Sequence, residues 1–176
     1  MSNQGSGAGR GPTAYATCRK DEQEWGLTVT TAAARFRTAV ENRDLAALEA
    51  LFTDDIRLYS PVKFRPFEGK PAVMGLFTVL LRTFEDFHYV GDFAGSSRTS
   101  VDGTTAPSSV LLFRATVNGK QIHGIDLLHH DEDATQGGRI KEITVMVRPQ
   151  SAVQALGEAV LAGLVSDGLV PAPADR

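Results

Sequence analysis

Apolar positions recur at helical spacing early in the chain. In "TVTTAAARFRTAVENRD", Ala33, Phe36 and Val40 fall on one face, and Thr30 or Thr31 can cap the helix they define. Asp44 can cap a second, shorter helix, "LAALEALF", with Leu45, Leu48 and Phe52 inward. The period then changes. "IRLYS" alternates, pointing Ile56, Leu58 and Ser60 one way and Arg57 and Tyr59 the other, as a strand does. Pro61 ends that strand, and the loop "VKFRPFEG" leads to a third helix with Pro71 in its first turn. Val73, Leu76, Phe77, Leu80, Leu81 and Phe84 form its broad apolar face.

The remainder reads mainly as sheet. "FHYVGDFAG" predicts a strand, "SSRTSVDGTTAP" a polar connection, and "SSVLLFRATV" a second strand. The dipeptide Asn118-Gly119 signals a tight hairpin into "KQIHGIDLLHHDED". "RIKEITVMV" is the last strand. After Pro149 a terminal helix carries Val153, Leu156, Val160 and Leu164 on one stripe, with Ser151 and Gln154 as a candidate capping box. Helices first, then one strand, one helix and a run of strands predict an α+β fold: a curved, mostly antiparallel sheet wrapped on helices as a half-cone with an enclosed apolar pocket. Residues 1–27 are Gly-, Ser- and charge-rich and read as a flexible arm; 28–166 form one domain, and 167–176 a loose tail.

The composition narrows the function. With 176 residues, 42% apolar and a net charge of −3, the chain offers no electrostatic footprint for nucleic acid or an anionic membrane. No run approaches the ~18 apolar residues of a membrane span, and the N-terminal stretch has no apolar signal core. Its one cysteine, Cys18, can form no intramolecular disulfide, which favours a cytoplasmic setting.

The chemistry-bearing position is Asp126, flanked by Ile125, Leu127 and Leu128 in a segment that otherwise reads as a buried strand. A buried carboxyl avoids an unpaired charge by pairing or by taking up a proton. Facing a pocket and partly protonated, Asp126 could donate a hydrogen bond to a ligand carbonyl or act as general acid or base. The alternative is a structural role, capping a backbone group or pairing with Arg114 or Arg148. Ser60 is a binding candidate or a plain turn residue before Pro61; a serine without a base is a poor nucleophile.

"ENRDLAALEALFTDDIRLYSP", "FEGKPAVMGLF", "HGIDLLHHDED" and "GRIKEITVMVRP" resemble the NTF2-like superfamily, in particular its SnoaL-like and ketosteroid-isomerase-like branches, over roughly residues 30–150. The resemblance implies a fold that serves isomerases, cyclases, dehydratases, hydrolases and non-catalytic binders. In the ketosteroid isomerases a general-base aspartate precedes a proline at the end of the first strand; here that position is Ser60-Pro61. Their oxyanion hole joins a tyrosine to a protonated sheet aspartate, the family being a standard example of a raised carboxyl pKa. The tyrosine position corresponds to Phe36, the supporting tyrosines to Phe52 and Phe77, and the sheet aspartate to Asp126. The resemblance thus implies a drier pocket, unlike that of a working ketosteroid isomerase.

The four histidines, His88, His123, His129 and His130, invite a metal reading that strand geometry opposes. His123 and His129 point away from Asp126, and six residues separate them by ~20 Å. His129 and His130 read as surface residues beside a polar turn, and "DEDATQGG" as a solvated turn without the order of a calcium loop. Tyr59 and Tyr89 read as core with the phenylalanines. The expectation is therefore a small-molecule pocket protein needing no cofactor or metal. Asp126 is its catalytic candidate, with Phe36, Leu58, Ser60, Phe77, Val145 and Val147 around an apolar oxygenated ligand. If it is an enzyme, it is an isomerase, cyclase, dehydratase or epoxide hydrolase; otherwise it is a hydrophobic-ligand binder or a dimeric scaffold. The resemblance further implies a homodimer through the outer sheet face, where Ile125 and Leu127 would otherwise meet water.

Overall fold

Thr31 Oγ1 accepts a hydrogen bond from the Ala34 amide at 3.2 Å and starts α1 (Ala32–Glu41), whose Phe36, Ala39 and Val40 are buried. Asp44 does the same for α2 (Leu45–Leu51) through the Ala47 amide at 2.9 Å. Each side chain satisfies an amide that a helix start would otherwise leave without a partner. The computed structural model describes residues 31–131 and 137–172; the expected arm and the centre of the "DEDATQGG" loop lie outside the described residues.

The chain passes from α2 directly into β1 (Phe52–Tyr59), so Phe52 opens a strand rather than closing a helix. A two-residue β2 (Phe67–Glu68) precedes α3 (Lys70–Thr83), which buries Val73, Leu76, Phe77 and Val79. Then come β3 (Glu85–Arg98), β4 (Thr105–Val117), β5 (Lys120–His130), β6 (Ile140–Arg148) and α4 (Gln150–Ser166). Asn118 and Gly119 both adopt positive φ, 48° and 72°, as a two-residue hairpin turn between β4 and β5 requires.

The six strands form one sheet in the order β2-β1-β6-β5-β4-β3, in which only the β1–β6 pair is parallel. The fold is α+β, as expected. Register decides which residues share a face. Leu111, Asp126 and Val145 stand opposite one another across β4, β5 and β6 and face the helices. The neighbouring row, Leu112, Ile125 and Met146, points outward. The core lies between the helices and the inner face: Phe36, Leu48, Ile56, Leu58, Leu111, Leu128 and Ile143 are almost wholly buried.

Four local expectations are corrected. Half of the polar connection after the first long strand is strand, because β3 runs to Arg98 and β4 begins at Thr105. Its serines hydrogen-bond across the sheet, Ser97 Oγ donating to Ser108 Oγ at 3.0 Å, so low hydrophobicity concealed a pleated segment. His129 is not a surface residue. It is fully buried, with Nε2 2.9 Å from Ser97 Oγ and Nδ1 3.3 Å from Glu142 Oε1, because the end of the β3–β4 hairpin folds over it. His130 is half-buried, its Nε2 3.0 Å from Ser109 Oγ. The Ser151–Gln154 capping box does not form. The helix starts at Gln150 with Pro149 as its cap, placing Ser151 inside the first turn, and Gln154 donates to Glu158 instead. Beyond α4, Arg82 pairs with Asp167 at 2.9 Å and Val170 packs on the core, so the start of the expected tail is held to the domain.

Candidate functional site

A cavity of about 390 Å³ lies between the helices and the inner sheet face. The apolar faces read from the sequence supply its walls. Phe36 comes from α1, Phe77 and Leu80 from α3, and Leu156 and Val160 from α4. The sheet contributes Leu58, Phe113 and Val145. The groups that break this apolar lining are Asp126 and Tyr89 on the sheet, and Ser60 and Lys63 after β1.

Asp126 is only 7% exposed, and its carboxyl faces the cavity rather than solvent. Tyr89 Oη donates a hydrogen bond to Asp126 Oδ2 at 2.7 Å. Burial pushes the Asp126 carboxyl up to about 7, and the Tyr89 bond, which favours the ionised form, opposes that push only in part. Tyr89 is driven well above the usual phenol range by burial first, then by the Asp126 charge and the bond itself. It therefore keeps its proton and acts as a fixed donor. Arg114 and Arg148, the alternative partners expected for Asp126, lie in the His123 row, which points outward. Arg148 Nη2 sits 3.1 Å from His123 Nδ1. The carboxyl is thus free of a guanidinium among the described residues.

Tyr89, expected in the core, is buried there and also reaches the cavity. Its ring belongs to an aromatic group that lines the cavity: Phe87 and Phe113 stack at 5.0 Å and 27°, and Tyr89 meets Phe87 edge-on at 5.0 Å. Phe113 can lie flat there because its cross-strand neighbour is Gly124; a Cβ at that position would collide with the ring. The backbone at Tyr89 is tied to α1, its amide donating to Glu41 Oε1 at 3.1 Å and its carbonyl accepting from Arg37 Nη2 at 3.3 Å.

Of the residues expected around the ligand, Phe36, Leu58, Ser60, Phe77 and Val145 line this cavity. Val147 does not. It packs against the core and borders a shallow groove with Ile125 and Met146, two positions further along β6. Phe36, Phe52 and Phe77 form one cluster, with ring centres 5.4 to 6.3 Å apart. Ser60 is a turn residue that also borders the cavity; its Oγ accepts from the Val62 amide at 3.3 Å after β1. Tyr59 pairs with Thr144, so Ser60 falls level with Val145, and Asp126 lies on the far side of Val145. Two strand spacings separate Ser60 from Asp126, roughly 10 Å.

A family model described as a SnoaL-like domain matches residues 33–143, well over half of the chain. The chain belongs to the SnoaL-like family. Among solved structures, this SnoaL-like chain is similar to a steroid delta-isomerase from Pseudomonas aeruginosa. The two are 35% identical with a TM-score of 0.65, over 79% of this chain and 93% of the other. A conserved bacterial protein with a cystatin-like fold from Silicibacter pomeroyi is 24% identical, with a TM-score of 0.68 over 80% of this chain and 89% of that one. An NTF2-like protein from Mesorhizobium loti is 18% identical, with a TM-score of 0.52 over 67% and 88%. The last two likenesses bear on the fold alone, which is NTF2-like. No curated protein matches this SnoaL-like chain by sequence. No helix among its described residues is long and apolar enough to cross a membrane.

Proposed function

We propose that the chain is a cofactor-independent enzyme of the isomerase type, taking an apolar, oxygenated small molecule into its cavity and moving a proton with Asp126. The observation that carries this reading is the Tyr89–Asp126 pair in an apolar cavity, with the carboxyl poised at about 7. A group that titrates near ambient pH is a competent acid and a competent base. The 35% identity to a protein named a steroid delta-isomerase supports proton transfer beside a carbonyl as the reaction class. Because Ser60 stands where the ketosteroid isomerases carry their base, the step here falls to a different position than in that family: the Asp126 carboxylate removes the α-proton of a β,γ-unsaturated ketone. The electron pair moves into a dienolate, and the newly formed carboxylic acid returns the same proton at the γ-carbon. Atoms and charge balance without a co-reactant. Tyr89 fixes the carboxyl's orientation.

The experiment is turnover of a β,γ-unsaturated steroid ketone, followed by the ultraviolet absorbance of the conjugated product. The expected result is isomerisation that falls at least 100-fold in Asp126→Asn. A second reading, a non-catalytic carrier of hydrophobic ligands, is favoured by Ser60 standing where ketosteroid isomerases carry their base, and by the apolar walls. Saturable binding of the ketone without turnover would replace the enzyme with the carrier. Turnover unchanged in Asp126→Asn would remove Asp126 from the chemistry.

The same proposal includes a homodimer. Leu112, Ile125, Leu127 and Met146 lie on the outer sheet face with Val90 and Phe93, and Met146, Val90 and Phe93 are 54%, 50% and 67% exposed. Light scattering at micromolar concentration is expected to give twice the chain mass; a monomer there would remove the dimer.

A further inference from the structure

Two charge-bearing side chains border the largely apolar cavity. Its inner polar group is a carboxyl that holds a proton near neutrality, so it seeks an acceptor. Its other charge-bearing residue is Lys63, in the loop after β1. That ammonium is not simply trailing into solvent. Nζ sits 3.8 Å from the centre of the Phe67 ring, and Phe67 itself lines the cavity. The residues just before it are anchored. Ser60 Oγ receives the Val62 amide, and Val62 rests on α4 at Gly157, where an added Cβ would lie 3.1 Å from Val62 Cγ1. Among the described residues, no carboxylate comes within ion-pair distance of Lys63, so its charge is not already taken up by the protein.

We infer that Lys63 receives the anionic end of the ligand, which is therefore an apolar carboxylate, with its body among the phenylalanines and leucines and any carbonyl turned toward Asp126. This inference rests on the proposed ligand-binding role of the cavity and narrows it from apolar oxygenated molecules to apolar acids. A cation on an aromatic face loses little by accepting an anion, since the ring satisfies it only from one side. Its placement at the rim leaves the charge pair partly hydrated, so the gain is a preference rather than an absolute requirement.

The test uses a matched pair of fluorescent probes, cis-parinaric acid and its methyl ester, which differ only in the charge. Each is titrated into the full chain, into Lys63→Met and into Lys120→Met, at low salt and at 0.5 M salt. The acid is expected to bind about five-fold more tightly than the ester, the size of an exposed to half-exposed ion pair. Lys63→Met is expected to abolish that preference while keeping ester affinity within two-fold, and high salt to compress it. Lys120→Met, at an exposed position outside the cavity, is expected to leave it in place. Equal binding of acid and ester by the unmodified chain, or a preference that survives Lys63→Met, overturns the inference while leaving the cavity as a ligand site. Binding of neither probe overturns the cavity reading and the inference with it.

Discussion

Asp126→Asn keeps the shape of the side chain and its ability to accept from Tyr89, but removes ionisation from the cavity. The consequence for stability can be worked from the structure. In the folded protein the carboxyl titrates at about 7; in the unfolded chain it returns to its ordinary 3.8. Between those values the folded state holds a proton that the unfolded state has released. Stability from this group is therefore complete below pH 4 and is lost as pH rises through 7. At about 1.4 kcal/mol per pH unit the whole swing is about 4 kcal/mol, and the part between pH 5 and pH 8 is about 2 to 3 kcal/mol. Urea unfolding followed by far-ultraviolet circular dichroism at pH 5, 6, 7 and 8 measures it. All other titrating groups are common to both proteins and cancel in the difference. Asp126→Asn is expected to gain about 2 to 3 kcal/mol on the unmodified protein between pH 5 and pH 8. A difference that stays constant within about 0.5 kcal/mol across that range would mean that Asp126 is not desolvated as described, and the acid–base role would fall with it.

Tyr89→Phe removes the one hydrogen bond that favours the ionised carboxyl, so the Asp126 midpoint is expected to move above about 7, read from its carboxyl carbon by NMR; a midpoint that stays or falls refutes the pairing. Gly124→Ala drives a methyl into the Phe113 ring and is expected to cost about 1 to 3 kcal/mol, seen as a lower Tm, with the ring displaced into the cavity and ligand affinity reduced. Glu142→Ala removes the carboxylate that receives the Ser100 amide at 2.8 and 3.1 Å and leaves buried His129 without its neighbour. It is expected to destabilise by about 2 kcal/mol and to raise hydrogen exchange at the β3–β4 turn.

Local signals in the sequence carried much of this architecture. Thr31, one of two threonines offered as a cap, and Asp44 cap their helices, and Asn118-Gly119 turns the hairpin, because each depends only on neighbours a few residues away. The inward direction of Asp126 was legible for the same reason, since strand alternation is local. Its partner was not. Tyr89 lies 37 residues earlier, and bringing the two together requires the register of β3 on β4 and of β4 on β5. Glu142 was missed although it carried the same mark as Asp126, a carboxylate within an apolar strand between Ile140 and Ile143. Burial of His129 could not be read locally either, because a hairpin end from elsewhere in the chain covers it. Val147 alternates correctly with Val145, yet it stands one step too far along the strand to meet the cavity, and a cavity's extent is set by helices that periodicity does not position.

Because Asp126 is poised near neutrality, a guest that accepts its hydrogen bond must find the carboxyl already protonated or draw the missing hydrogen ion from the medium. At pH 7 the association of such a guest then consumes a fraction of a proton, supplied by the buffer. The calorimetric heat of association should accordingly change with the buffer's own enthalpy of ionisation, and it should stop doing so when position 126 is an amide.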